Sequence, residues 1–182
     1  MTTNPPETIT VRRARAEEWR ETRELRLAAL LDPAAPVAFL ETHEAAGSRP
    51  DAFWQDRARN AATSDVVCAF VAVDAAGRWV GTTTGLVEEP GATDVLGGPV
   101  ERRQVHLVGV FVRPEHRGAG LLGELFDGVQ EWARGQGVER ARLCVHVDNP
   151  RAQAAYRKLG FAPSGATFML EAGQELELVR AL

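Results

Sequence analysis

Residues 105–123, VHLVGVFVRPEHRGAGLLG, constrain the fold more than any other stretch, because an apolar β-type run passes through a basic, glycine-rich turn into a helical pattern. That order makes an anion site. A helix N-terminus carries unpaired backbone N–H groups and a partial positive charge, so a phosphate placed there is held by geometry and field together. Gly118 and Gly120 remove the Cβ atoms that would hold a phosphate off those amides, and Arg117 adds a guanidinium. The expected ligand is a phosphate or pyrophosphate.

Spacing narrows the ligand further. A Walker loop needs GxxxxGK[ST], but Lys158 is the only lysine in the chain, which excludes a simple nucleotide triphosphatase. Gly118, Gly120 and Gly123 do spell the GxGxxG of a dinucleotide site, with Asp148 as candidate ribose ligand. In that motif the strand runs straight into the first glycine; here RPEHR intervenes, and Pro114 has already ended the strand. An NAD(P)-dependent oxidoreductase, which also needs a second βαβ half, is the weaker reading.

The flanking chain supplies a mixed sheet. Residues 9–14 alternate as a strand, and residues 16–31 set Trp19, Thr22, Leu25, Ala29 and Leu30 on a helical stripe that ends at Asp32-Pro33. A loop then leads through Phe39 to Glu41, His43 and Glu44, before a helix over about residues 50–62 whose apolar face is Phe53, Trp54 and Ala58. Residues 65–74 and 78–89 read as an antiparallel hairpin, and residues 90–104 as a loop. Beyond the glycine turn, Leu121, Leu122, Leu125, Phe126, Val129 and Trp132 fall at helical spacing within residues 118–134, stopped by Gly135 and Gly137. Residues 141–148 form the next strand, Asn149 caps a helix that Pro150 begins and Gly160 ends, and residues 166–182 close as a hairpin around Gly173. This order predicts an α/β fold, one domain over residues 1–182, with a mixed sheet of about seven strands flanked by about four helices on both faces.

Two motifs carry a family resemblance. Val112, Pro114, Arg117, Gly118 and Gly120 stand in register with V-x-P-x-x-R-G-x-G-x-G/A, and Asn149, Ala152, Tyr156, Gly160 and Phe161 with N-x-x-A-x-x-x-Y-x-x-x-G-F. Both resemble the hallmarks of the GNAT superfamily of N-acetyltransferases, specifically over about residues 105–161. Leu122 stands where the first motif has Gly or Ala, with Gly123 one place later. The resemblance implies acetyl-CoA as co-substrate. Its pyrophosphate would lie on the amides of Arg117, Gly118, Ala119, Gly120, Leu121 and Leu122, its pantetheine arm would run along Val110, Phe111 and Val112, and Asn149 would join the binding set. It also implies acetyl transfer to the amine of a small molecule or peptide, an acceptor site over residues 39–44, and a tendency to form homodimers.

Transfer from a thioester to an amine needs the amine neutral and a proton for the leaving thiolate. An ordinary alkylammonium is neutral about once in 2,500 molecules at pH 7, a cost of roughly 4.6 kcal/mol without assistance, so a base is worth seeking. Tyr156, the only tyrosine, is the candidate donor to the sulfur, its competing role being a packing ring at the helix–sheet boundary. His106, four residues before Val110 on the central strand, is the candidate base, its competing role an inward histidine satisfied by a carbonyl. His146 on the adjacent strand is the second candidate. Glu41, Glu44, Glu88 and Glu89 read as solvated carboxylates, and Arg102 and Arg103 as a loop pair within reach of a ribose phosphate of the coenzyme.

Composition removes other classes. A formal charge of −4 argues against nucleic acid as partner and suits a cationic amine. No 18-residue apolar run and no leader-like N-terminus point to a membrane or export, so the chain reads as cytoplasmic. Cys68 and Cys144 sit in apolar runs without CxxC or CxxH spacing and read as reduced thiols; with His43, His106 and His146 they form no metal-ligand spacing, so no metal is expected. The alternative to an enzyme is a non-catalytic CoA-binding module of the same fold, against which the intact Tyr156 counts.

Overall fold

The computed structural model describes residues 8–182. The proline-containing N-terminal tail lies, up to residue 7, outside the described residues. The elements in order are β1 (Thr10–Arg13), α1 (Trp19–Leu30), α2 (Ala35–Ala38), α3 (His43–Gly47), α4 (Asp51–Thr63), β2 (Val67–Val73), β3 (Trp79–Glu88), β4 (Gln104–Val112), a 3-10 turn (Pro114–His116), α5 (Leu121–Gly135), β5 (Arg140–His146), α6 (Pro150–Lys158), β6 (Ala162–Leu170) and β7 (Gly173–Ala181). Among the described residues, seven strands form one mixed sheet, as the sequence predicts, and their order is β1-β2-β3-β4-β5-β7-β6. Two of the six helices among the described residues, α2 and α3, lie in the segment read from sequence as a loop. At four and five residues they are too short for a hydrophobic period to register. No described helix is long and apolar enough to cross a membrane.

Side-chain alternation divides the sheet into two faces. Val105 and Leu107 of β4, Ala141, Leu143 and Val145 of β5, and Leu176 and Leu178 of β7 join Phe126 and Val129 of α5 in one apolar cluster. Each such large side chain, fully buried, contributes about 1.5–3 kcal/mol. Helix α5 sits very low on the sheet: a Cβ at Gly85 would stand 2.6 Å from Val129 Cγ1, and one at Gly128 would overlap the Phe70 ring. On the opposite face, Leu25 and Ala29 of α1 pack with Val71, Trp79 and Phe111, and α4 buries Trp54 against Leu30 and Ala46. The intervening residues of β4, β5 and β7 therefore point to this second face, and most of them are polar or thiol side chains: His106, Arg142, Cys144, His146, Glu175 and Glu177.

Two irregularities in β4 open the sheet. Thr84 pairs with Val108 but Thr82 with Phe111, so β4 carries one extra residue, accommodated by Gly109 at φ +61°. The bulge reverses the alternation. Phe111 consequently joins the α1 face and Val112 packs with Leu121 and Leu125 under α5. On its other side β4 pairs with β5 in parallel only at Val105–Ala141 and His106–Arg142. Past that point the two strands share no register, and a cleft occupies the gap.

Candidate functional site

The glycine turn forms one wall of this cleft. Gly118 and Gly120 both adopt φ +84°, a left-handed conformation that side chains resist, and a Cβ at either would face open space. Gly120 is the N-cap of α5 and supplies no capping side chain. The backbone N–H groups of residues 118–122 make no hydrogen bond to any described residue. Helix α6 shows the contrast: the Asn149 side chain accepts from the Ala152 N–H at 3.2 Å, which fills that helix end from within. The free amides thus belong to α5. Sequence placed the start of this helix at residue 118; it begins at Leu121, because two residues at positive φ cannot lie in a right-handed helix. The Arg117 amide is spent on the Pro114 carbonyl in the 3-10 turn, which narrows the expected amide set to residues 118–122.

The Arg117 side chain also differs from expectation. Its Nε donates to the Val112 carbonyl at 2.8 Å and Nη2 to Asp32 Oδ2 at 2.5 Å. Instead of standing as a free phosphate ligand, the guanidinium ties the turn to the end of α1. Arg151 and Lys158 of α6 line the cleft, whereas Arg103 is engaged at the far end of β4 by Glu89 and by the Gln136 carbonyl. Gly123, one place later than the motif's Gly or Ala, lines the cleft and lies close to α6, where a Cβ would stand 3.3 Å from Leu159.

The cleft has a volume of about 610 Å³ and is lined by Val110, Phe111, Val112, the glycine turn and α6. A second pocket of about 260 Å³ opens on the α1 face, over the polar residues of β4, β5 and β7. The two share Ala38, Phe39, Val110, Asn149 and Tyr156. Tyr156 stands at this junction, its ring stacked on Phe126 at 5.7 Å. Burial pushes its phenol up to about 12, aided by the negative charge of Glu175 and opposed by Arg151. The hydroxyl is protonated at neutral pH and donates to no described residue.

His106 lines the second pocket and is nearly fully buried. Its Nδ1 lies 2.8 Å from Glu88 Oε1. Glu88 reads from sequence as solvated, but the structure buries it, because β3 delivers its last residue onto the polar face beside Gln104 and Arg142. Burial alone would raise the Glu88 carboxyl; the hydrogen bond and charge of His106, the Gln104 amide and Arg142 hold it below its ordinary value. A carboxylate on Nδ1 fixes the tautomer with the proton there and leaves Nε2 as the basic nitrogen. His146 has no such freedom. Its Nδ1 accepts the Asp148 N–H at 3.0 Å and its Nε2 lies 2.9 Å from the Ala172 carbonyl, so both ring nitrogens are committed.

Three further residues escape sequence reasoning. Arg142 is held by Glu88 at 3.1 Å and by Asp94 at 2.6 Å, which clamps the β3–β4 loop onto the sheet and sets Val95 and Leu96 against the second pocket. Asp94 itself caps that loop by accepting the Leu96 and Gly98 amides. Glu175 of β7 lines the pocket beside His146. None of the three has a local signal, since each is brought to the site by long-range strand pairing. Cys68 and Cys144 are free thiols, both pushed by burial up to about 12. Among the described residues no group of three His, Cys, Asp or Glu is arranged to hold a metal.

Comparison with known proteins agrees with this geometry. The model of the Acetyltransferase (GNAT) family matches residues 19–161. N-acetyltransferase 8 of Rattus norvegicus is 30% identical over 107 residues, covering 58% of this chain and 48% of the relative; the chain thus spans about half the length of that curated relative. Among solved structures, a GNAT superfamily phosphinothricin acetyltransferase from Sinorhizobium meliloti in complex with AcCoA superposes with TM-score 0.70 at 21% identity, covering 96% of this chain and 89% of that one. The GNAT domain of S. lividans PAT gives 0.70 at 16% identity over 98% of this chain and 99% of that one. With the family matched across both motifs and the fold shared over nearly the whole chain, this protein belongs to the GNAT family of acetyltransferases.

Proposed function

We propose that the chain acts as a single N-acetyltransferase domain that uses acetyl-CoA and passes the acetyl group directly to the amine of a small molecule or peptide. One observation carries this reading: the amides of residues 118–122 have no partner among the described residues, and Gly118, Gly120, Leu121 and Leu122 of that turn line a cleft that leads to Tyr156, where the second pocket reaches His106. The residues present fit the coenzyme. Unfilled space at the Gly118 and Gly120 Cβ positions admits a pyrophosphate to the amides, and β4 presents Val110 and Val112, freed from β5, along the path of a pantetheine arm. Asn149 and Leu121 complete the lining. Acetyl-CoA would supply an activated acyl group as a thioester. The solved relative with AcCoA bound supports this choice of ligand by its fold.

In this reading each polar residue moves or holds one proton. His106 Nε2 receives the proton that the acceptor nitrogen sheds as its new N–C bond forms, and Glu88 holds the ring that takes it. As the C–S bond breaks, the Tyr156 hydroxyl donates a hydrogen bond to the departing sulfur. The overall exchange is amine plus thioester to amide plus thiol, with the acceptor's proton balancing the thiol's.

The direct test is thiol release from acetyl-CoA over a panel of primary amines, together with calorimetric titration of acetyl-CoA. Heat of binding without thiol release from any amine would leave only a coenzyme-binding module. Gly120→Val should weaken acetyl-CoA binding about tenfold or more, because a side chain at this φ is strained by about 1–3 kcal/mol and its methyls enter the space before the amides. Normal affinity in a folded variant would remove the amide nest from the coenzyme site.

The base assignment has its own signature. If His106 takes the proton, kcat/KM falls on the acidic side through a limb that stays fixed when the acceptor is exchanged for one of different basicity, and His106→Gln abolishes that limb. Persistence of a fixed limb in the variant would return His106 to a structural role under Glu88.

A further inference from the structure

The second pocket is lined by two charged groups of opposite sign, Glu175 and Arg57, that form no ion pair with a described residue. Glu175 comes from β7, on the far side of the gap between β4 and β5. It is nine-tenths buried, yet it makes no hydrogen bond or ion pair with a described residue. Its neighbour on the same face, Glu177, is by contrast satisfied by Arg140 and Arg142. A buried carboxylate without a partner is costly, and burial holds this one above its ordinary value, with the charge of His146 opposing. It lies close enough to Tyr156 to raise that phenol as well.

The wall contributed by α1 and α4 has the reverse imbalance. Arg26 and Arg49 share the single carboxylate of Glu41, at 3.2 and 2.8 Å. Arg57 of α4 stands among these three and lines the pocket, but it forms no ion pair with any described residue. Three guanidiniums thus face one carboxylate, which leaves Arg57 as the excess cation on the pocket wall. The rest of the lining mixes the apolar side chains of Leu40, Val95, Leu96, Val108 and Leu170 with the polar residues His106, His146, Asn149 and Tyr156.

We infer that the acceptor is a primary amine that also bears a carboxylate, an amino-acid-like zwitterion with an apolar body, whose ammonium is held by Glu175 beside Tyr156 and whose carboxylate is held by Arg57. This rests on the transferase reading above and names the substrate class of its acceptor pocket. Arg is suited to the outer position because its planar fork binds a carboxylate through two parallel N–H bonds. The volume of about 260 Å³ suits a single residue or a short chain, and the cationic wall that welcomes a carboxylate disfavours a polyamine.

The test is to compare kcat/KM for leucine, phenylalanine and ε-aminocaproate with kcat/KM for the carboxamide of each, in the native protein and in Arg57→Gln. At least one acid should exceed its amide by about 10- to 100-fold, as expected for a charge-assisted contact, and this ratio should collapse toward one in Arg57→Gln. Glutamine keeps a polar side chain at a position that forms no ion pair with a described residue, and urea unfolding of Arg57→Gln checks that the fold is retained. Glu175→Gln should raise KM for acids and amides alike, because both present the same ammonium. Acid-to-amide ratios near one in the native protein, or a preference that survives Arg57→Gln, would overturn the carboxylate assignment while leaving the transferase reading intact. An unchanged KM in Glu175→Gln would overturn the ammonium assignment. Absence of thiol release with every amine, by contrast, would sink the transferase reading itself and this inference with it.

Discussion

Tyr156→Phe lowers kcat by about 10²–10³-fold, the usual loss when one donor to developing negative charge is removed, and leaves acetyl-CoA affinity within about twofold. The split follows from where the hydroxyl sits. The ring stacks on Phe126 and belongs to the core beneath α5, contacts that phenylalanine retains. Only the oxygen at the junction of the two pockets is lost. The phenol, pushed up to about 12 by burial, is a far weaker acid than an ordinary thiol near 8.5, so complete transfer to the thiolate would be uphill by about 5 kcal/mol. In the proposed reaction its work is therefore hydrogen-bond donation while charge develops on sulfur. The negative charge of Glu175 contributes to that raised value, and an ammonium bound there would ease the donation as the acceptor arrives. Single-turnover rates and calorimetry on the two proteins decide the matter. A kcat within about twofold of the parent would return Tyr156 to packing.

How much of this was legible from the residues follows from the range of the interactions involved. Strand, turn and α5 could be read because Pro114, Gly118 and Gly120 act locally on their own φ angles, and α6 because Asn149 and Pro150 form a cap within four residues. The hairpin of β2 and β3 was legible for the same reason, its turn being closed by Asp74, which accepts the Ala76 and Arg78 amides. The bulge at Gly109 was not, since an extra residue in β4 exists only relative to the register of β3. Burial of Glu88 was invisible too: at the end of its strand, next to Glu89, it looks like surface until β4 and β5 bring His106 and Arg142 against it. Asp94 sits in a loop that has no periodicity, and Glu175 alternates with leucines in a strand whose outer face could equally have been solvent. Local chemistry thus made the glycine turn and its cleft legible, and long-range pairing built the second pocket.

That second pocket depends on one residue more than any other, and replacing it has the largest expected effect on stability. Arg142→Met removes the cation that joins Glu88, Asp94 and Glu177, with 2% of Arg142 exposed. Breaking a buried ion pair from one side costs about 3–5 kcal/mol, because the remaining charges stay buried without compensation. Methionine fills much of the volume, so little of the loss is a cavity. In the parent protein, burial would raise the Asp94 carboxyl, but the bond from Arg142 and the Gly98 and Leu96 amides hold it low, and Glu88 is likewise held low. Carboxyls depressed on folding contribute stability that is complete above their ordinary values and lost as pH falls below about 4.5 for Glu88 and 3.8 for Asp94. The variant has lost the guanidinium's share of that depression, so it has less to lose on acidification. Urea unfolding should therefore show a gap of about 3–5 kcal/mol between parent and variant at pH 7 that narrows as pH drops through about 4.5. Where the variant remains folded, release of Asp94 also frees the β3–β4 loop and with it Val95 and Leu96, so KM for the acceptor should rise more than KM for acetyl-CoA. A gap under about 1 kcal/mol, or one that stays constant across this pH range, would mean that the guanidinium is not what neutralises the cluster.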